Sequence, residues 1–130
     1  MATHTSAASF RHALNIQAGR WQEKAVVVVN AVTLRVFELA TVGTRVDTGR
    51  ARAGWFVSVG APGDHLPPVG SYVGASSGFA ATLASAPLGM SRYVYNNVEY
   101  IVWLEIGTNK TSGDWMLKNA VDAVRKAGLA

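Results

Sequence analysis

Apolar residues recur at three- and four-residue steps through the first third of the chain, at Phe10, Leu14, Trp21, Ala25, Val28, Val32, Val36, Leu39 and Ala40. That spacing lines one face of a helix. The run Val26 to Val29 opposes it locally, because β-branched side chains lose rotamer freedom in helices. The periodicity nevertheless continues through both flanks, and Gly43 stands where a C-terminal cap would be. Arg35 and Glu38 sit at i,i+3 spacing, which favours a helical pair. The pattern predicts a helix from Ser9 to Val42, with Ala18-Gly19 as the place for a break. Its apolar face is wide, so it should be buried on more than one side. Residues 1–9, polar and small, read as a flexible terminus.

After Gly43 the period changes. Residues 43–50 form a connection, in which Asp47 or Thr48 has a side-chain oxygen able to cap a short helical turn, and Gly49 supplies backbone freedom. Gly54 to Val59 alternates, with Trp55, Val57 and Val59 on one face and Phe56 and Ser58 on the other, which is a strand. Residues 60–76 carry Gly60, Pro62, Gly63, Pro67, Pro68, Gly70 and Gly74 and read as a long loop. Ser77 to Ala86 predicts a short helix around Phe79, Ala80, Leu83 and Ala84, stopped by Pro87 and Gly89. Arg92 to Asn96 is strand-like, and Asn96-Asn97 makes a turn. Val98 to Ile106 fits both periods: alternation through Val98, Tyr100, Val102, Leu104 and Ile106, or a helical turn through Tyr100, Trp103, Leu104 and Gly107. Gly107 to Lys110 is a loop. Ser112 or Asp114 then caps a last helix of about 12 residues. Its apolar side is Met116, Leu117, Ala120, Val121 and Val124, and Lys118, Arg125 and Lys126 lie toward its C-terminal end, where the helix dipole favours cations. The whole predicts a single α+β domain spanning residues 1–130. In it a long N-terminal helix and a C-terminal helix pack on a small antiparallel sheet, with a short extra helix and a long Pro/Gly loop.

Composition narrows the class. Hydrophobic residues make up 49% of the 130 and charged ones only 15%, which excludes a disordered chain and suggests surface covered by something other than water. Cysteine is absent, so disulfides and thiolate metal sites are excluded. The net charge is +4, but the arginines are scattered apart from Arg45, Arg50 and Arg52, without the dense basic stripe of a nucleic-acid surface. Met1 to Ser9 lack the charged-then-apolar order of a secretory signal. Ala25 to Val42 is the most apolar stretch, yet it holds Asn30, Arg35 and Glu38, which speaks against a membrane span.

Candidate chemistry is sparse. Of the three histidines, His4 lies in the terminus, His12 near a helix start, and His65 beside Asp64 in the Pro/Gly loop, where both read as solvated. No two have metal-ligand spacing. The carboxylates do not cluster, and Glu99 reads as a surface residue. Gly43 to Gly49 follows a helix rather than a strand and lacks the Lys-Ser/Thr of a phosphate loop. The serines of residues 71–85 have no nucleophile elbow. The sequence therefore predicts no enzyme, no metal and no cofactor. Four tryptophans, at 21, 55, 103 and 115, are dispersed and read as core or subunit-interface packing.

Two segments carry a resemblance. Val46-Asp47-Thr48-Gly49-Arg50-Ala51-Arg52-Ala53-Gly54-Trp55 resembles the signature of neck and tail-completion proteins of long-tailed phages. Phe79 to Ala84, Tyr93-Val94-Tyr95-Asn96-Asn97 and Tyr100-Ile101-Val102-Trp103-Leu104-Glu105-Ile106-Gly107-Thr108 look like that family's second half, in order. The family's proline before the last helix is missing from residues 109–116. The resemblance implies a structural virion protein, assembled in the bacterial host cytoplasm. It would form a ring, commonly a hexamer, at the head–tail junction or the top of the tail. Its partners would be other copies, neighbouring connector and tail proteins, and DNA passing through the channel without sequence-specific contact. Tail-terminator or head-closure rings are the alternative position, and a DNA-binding protein or a small hydrolase are rivals of another class. Within the signature the expected roles are structural. Asp47 caps the turn, with Thr48 beside it, Gly49 permits it, and Glu105 pairs with Arg50 or Arg52. Trp55, Asn96, Asn97, Tyr100, Trp103, Gly107 and Thr108 shape the joint or the interface.

Overall fold

The computed structural model describes residues 7–45, 49–67 and 78–128. Helix α1 spans Ala7–Gly43, α2 Arg50–Ala53, strand β1 Trp55–Val59, α3 Phe79–Ala84, β2 Arg92–Asn96, α4 Ile101–Ile106 and α5 Met116–Lys126. The fold is α+β, as the alternating periods imply.

α1 is continuous for 37 residues, about 55 Å at the helical rise; Ala18-Gly19 does not break it, and Ala7 to Ser9 belong to it rather than to a flexible end. Only its C-terminal half enters the core, through Thr33, Phe37, Ala40 and Thr41. Threonines fit an apolar face here because their hydroxyls return to the carbonyl one turn back: Thr33 to Val29 at 2.8 Å, Thr41 to Phe37 at 2.7 Å and Thr44 to Ala40 at 2.7 Å. The N-terminal half departs from expectation. Phe10, Leu14, Ile16, Trp21, Val27 and Val28 remain exposed, because the sheet and α5 engage the helix beyond them.

β1 and β2 form a two-stranded antiparallel sheet in which Trp55 faces Asn96 and Val59 faces Arg92. A lone pair of strands of this kind needs helices to cover it. Trp55 and Val57 turn into a cluster with Phe37, Ala40, Phe79, Leu83, Met116 and Ala120. α5 presents Met116, Ala120 and Val124 at four-residue steps and packs most extensively on α1. On its outer face Lys118 and Asp122 form an i,i+4 ion pair at 3.0 Å. Across the sheet the aromatic packing continues edge-to-face, from Phe37 to Phe79 and from Phe79 to Phe56, with ring centroids 5.0 and 4.8 Å apart.

One guanidinium fastens the α3–β2 connection to α1. Arg92 donates to Asn30 Oδ1 at 2.8 Å, and to the carbonyls of Ala86, Pro87 and Met90. Asn30 in turn donates to the Leu83 carbonyl at 3.2 Å. Asn30 is thus a partner of the fold rather than a stray polar residue in an apolar run.

Candidate functional site

The two segments singled out in the sequence meet in space. Val46, Asp47 and Thr48 lie outside the described residues, and so does the capping role expected of Asp47 or Thr48. Gly49 holds the N-cap position of α2 with φ 90°, the left-handed conformation in which only glycine is free of strain. Beyond it the three clustered arginines take three different partners. Arg45 makes a two-pronged pair with Asp114, Nε to Oδ2 at 2.7 Å and Nη2 to Oδ1 at 2.6 Å. Arg50 pairs with Glu99, and its guanidinium lies 6.0 Å from the centre of the Tyr100 ring, at the limit of a cation–π contact. Arg52 donates to the carbonyls of Val42 and Thr44 at 3.2 and 2.8 Å, placing a cation at the negative end of α1. The Arg45 guanidinium holds the Asp114 carboxyl below its usual range, and Arg50 does the same for Glu99.

The expected pairing of Glu105 with Arg50 or Arg52 is therefore incorrect. Glu105 points the other way, toward the start of α5. Its Oε1 accepts the Leu117 N–H at 2.9 Å and its Oε2 the Lys118 N–H at 3.2 Å. The cap expected of Ser112 or Asp114 is likewise absent. Trp115 occupies the N-cap position with φ 50° and no side-chain bond, and the Asp114 carboxylate is taken by Arg45. A carboxylate from the preceding helix satisfies the orphan N–H groups instead.

The ambiguous segment resolves as helix α4. Its end carbonyls are claimed by the chain that follows: Asp114 N–H donates to Leu104 O at 2.7 Å and Trp115 N–H to Glu105 O at 3.0 Å. Gly107 makes this return possible at φ 88°, with an isolated bridge to Ser112. Thr108 holds the intervening turn, its Oγ1 accepting from Lys110 and Thr111 N–H at 3.2 Å each. Gly113, not singled out in the sequence, is as tightly placed as Gly107; a Cβ there would strike the backbone of Glu105 and Ile106.

The paired asparagines divide their work. Asn96 donates to Ala51 O at 2.8 Å and accepts from Val98 N–H at 3.0 Å, joining α2 to the turn after β2. Asn97 donates to the carbonyls of Gly63 and His65 at 3.0 and 3.1 Å. This holds the first part of the Pro/Gly loop, whose residues 68–76 lie outside the described range. His65 is not a solvated loop residue. It stacks on Phe56 with centroids 4.3 Å apart, a packing role that sequence neighbours gave no sign of. Trp55 is the one fully buried tryptophan, its Nε1 donating to Thr44 Oγ1 at 2.7 Å.

Trp21 and Trp103 are each 62% exposed. Trp103 belongs to an apolar face of α4 with Val102 and Ile106, both also exposed. Beside that face an open groove of about 320 Å³ runs between β2 and α4, lined among others by Trp55, Val94, Tyr95, Ile101 and Leu117. α1 is long and apolar enough to cross a membrane by length and composition. Among the described residues no three of His, Asp and Glu gather as a metal site. The ionic groups of the joint bind one another or helix ends. Comparison with protein-family models, curated proteins and solved structures finds no match to this chain.

Proposed function

We propose that this chain is a structural subunit of a phage neck or tail ring. It would join the connector to the tail around a DNA channel, at the head–tail junction or the top of the tail. The observation that carries the reading is the amount of apolar surface the subunit leaves uncovered in two separate places: the N-terminal half of α1, and the face of α4 with its adjoining groove. A small domain with patches of this size is built for a partner. Two unlike patches on one chain suit a head-to-tail contact, which closes into a ring when the rotation allows. The resemblance of residues 46–55, 79–84, 93–97 and 100–108 to neck and tail-completion proteins supplies the setting. Its segments are held together by Asn96 on Ala51, Arg50 on Glu99 and the Trp55–Asn96 strand pair. A tail-terminator or head-closure ring is the same reading at another position.

A membrane reading draws on the length of α1, but the C-terminal half of that helix packs on the protein's own sheet, α3 and α5. A DNA-binding reading draws on the net charge of +4 and requires strongly salt-dependent binding by the free chain. The test is incubation of the purified chain with phage heads and with tails lacking it, followed by negative-stain imaging. Ring density at one of the two ends is expected. Failure to join either, or tight salt-dependent DNA binding by the free chain, refutes the proposal.

A further inference from the structure

We infer that the exposed N-terminal half of α1 from one copy lies in the groove between β2 and α4 of the next copy, with Trp21 as its anchor. This deepens the ring reading and rests on it for closure. Three observations on the subunit agree.

The shapes correspond. One surface is a helix with Leu14, Ala18, Trp21, Ala25, Val28 and Val32 at alternating four- and three-residue steps, a stripe along one flank that is exposed at Leu14, Ala18, Trp21 and Val28 and half-buried at Ala25 and Val32. The other is a concave apolar groove to which residues 7–28 contribute no lining. An amphipathic helix in such a groove is a common mode of recognition.

The charges correspond. Residues 7–28 carry Arg11, Arg20 and Lys24 against Glu23, three positive and one negative, for +2. The charged residue in the groove's lining is the acidic Glu105, and Glu99 lies on the link between its two walls, β2 and α4. The Glu99 side chain stays 66% exposed while paired with Arg50, so it remains open to a second cation.

Residues 7–28 make roughly 33 Å of helix about 10 Å wide, so one flank offers on the order of 500 Å², of which the groove, walled by the six-residue α4 and the five-residue β2, takes the part around Trp21. Exposed Trp103 and Val102 extend the receiving surface toward the roughly 800 Å² per partner of a stable interface. The rival occupant of the stripe is α1 of a second copy. That pairing leaves the groove and Trp103 uncovered. In the antiparallel register that sets Leu14 opposite Val32, it also sets Arg11 opposite Arg35.

The experiment uses the full chain, Trp21→Asp and Trp103→Asp, and light scattering after gel filtration at high concentration. Both residues are exposed within the subunit, so each variant should keep the wild-type circular dichroism and still unfold cooperatively, its melting temperature lower only by what assembly adds to the wild type. The wild type should form multimers, and each variant alone should be monomeric. Mixed in equal amounts, the two variants should give a dimer, because the intact helix of one meets the intact groove of the other. A mixture that stays monomeric overturns the inference. So does a Trp103→Asp chain that assembles like wild type, which would indicate α1 pairing with α1. A monomeric wild type also overturns it, while leaving the neck proposal to its own test on heads and tails.

Discussion

Glu105 caps the helix that begins beyond its own, its carboxylate oxygen 2.9 Å from the backbone nitrogen of Leu117. The contact is reciprocal in effect, since the carbonyls of Leu104 and Glu105 accept the N–H groups of Asp114 and Trp115. α4, the turn and α5 thereby close into one unit. Glu105→Gln keeps the shape but loses the charge and one of two acceptors. It should lower unfolding stability by about 1 kcal/mol, and Glu105→Ala by roughly 1–2 kcal/mol. Urea denaturation reads both. An unchanged midpoint for Glu105→Ala would show that the cap contributes nothing.

The same turn depends on two glycines. Gly107 needs both its positive φ of 88° and its missing side chain, since a Cβ would meet the backbone of Thr111 and Gly113, whereas Gly113 needs only its missing side chain, because the atoms a Cβ would meet are backbone atoms of Glu105 and Ile106. Backbone cannot swing aside as a flexible side chain would. Gly113→Ala is expected to cost about 1–3 kcal/mol, the usual range for forced overpacking. A Gly113→Ala chain as stable as wild type in thermal melts would mean that α4 and α5 can separate freely.

Asn97 ties the loop after β1 to the end of β2 through the carbonyls of Gly63 and His65. Removing its amide leaves the His65 stack on Phe56, the His65 Nε2 contact with Ala53 O and the Ser58 hydroxyl bond to Ala61 O to hold that segment. Asn97→Ala should cost about 1 kcal/mol of global stability and speed proteolytic cleavage within residues 61–67 several-fold. Limited proteolysis with mass spectrometry checks this. Equal cleavage rates in the two chains would show that the loop is held by something else.

Most elements could be read from the chain because a single period dominates each. Phe10 to Ala40, Trp55 to Val59, Arg92 to Asn96 and Met116 to Val124 each repeat at one spacing, and each forms the element that spacing demands. Residues 98–106 carry both periods at once. What selects the helix is downstream, in the return of residues 113–115 onto its last carbonyls, which no local pattern encodes. Glu105 was open to misreading for a related reason. A half-buried carboxylate is satisfied equally by a guanidinium or by helix N–H groups, and only the fold brings one of them within reach. No local signal separates the two, since Ser112 and Asp114 stand where the last helix would find a cap of its own. The exposure of Trp21 is illegible in a third way, since periodicity shows which residues share a face but not what covers it.

Arg45 and Asp114 join the end of α1 to the start of α5, and their pair should make part of the stability sensitive to acid. The Asp114 carboxyl is held below its ordinary value by the Arg45 hydrogen bonds and charge, and the same direction holds for Glu99 beside Arg50 and Asp122 beside Lys118. A carboxyl lowered in the folded state takes up its proton more readily when unfolded. Its contribution is therefore complete above the unfolded value of about 4 and is lost as pH falls through the lower folded value. Asp114→Asn should destabilise the chain at neutral pH. The gap to wild type should narrow steadily below about pH 4, as the wild-type carboxyl is protonated too. Urea midpoints measured at neutral and acidic pH decide it: a gap that stays constant across that window would show that the Arg45–Asp114 charge pair does not stabilise the junction.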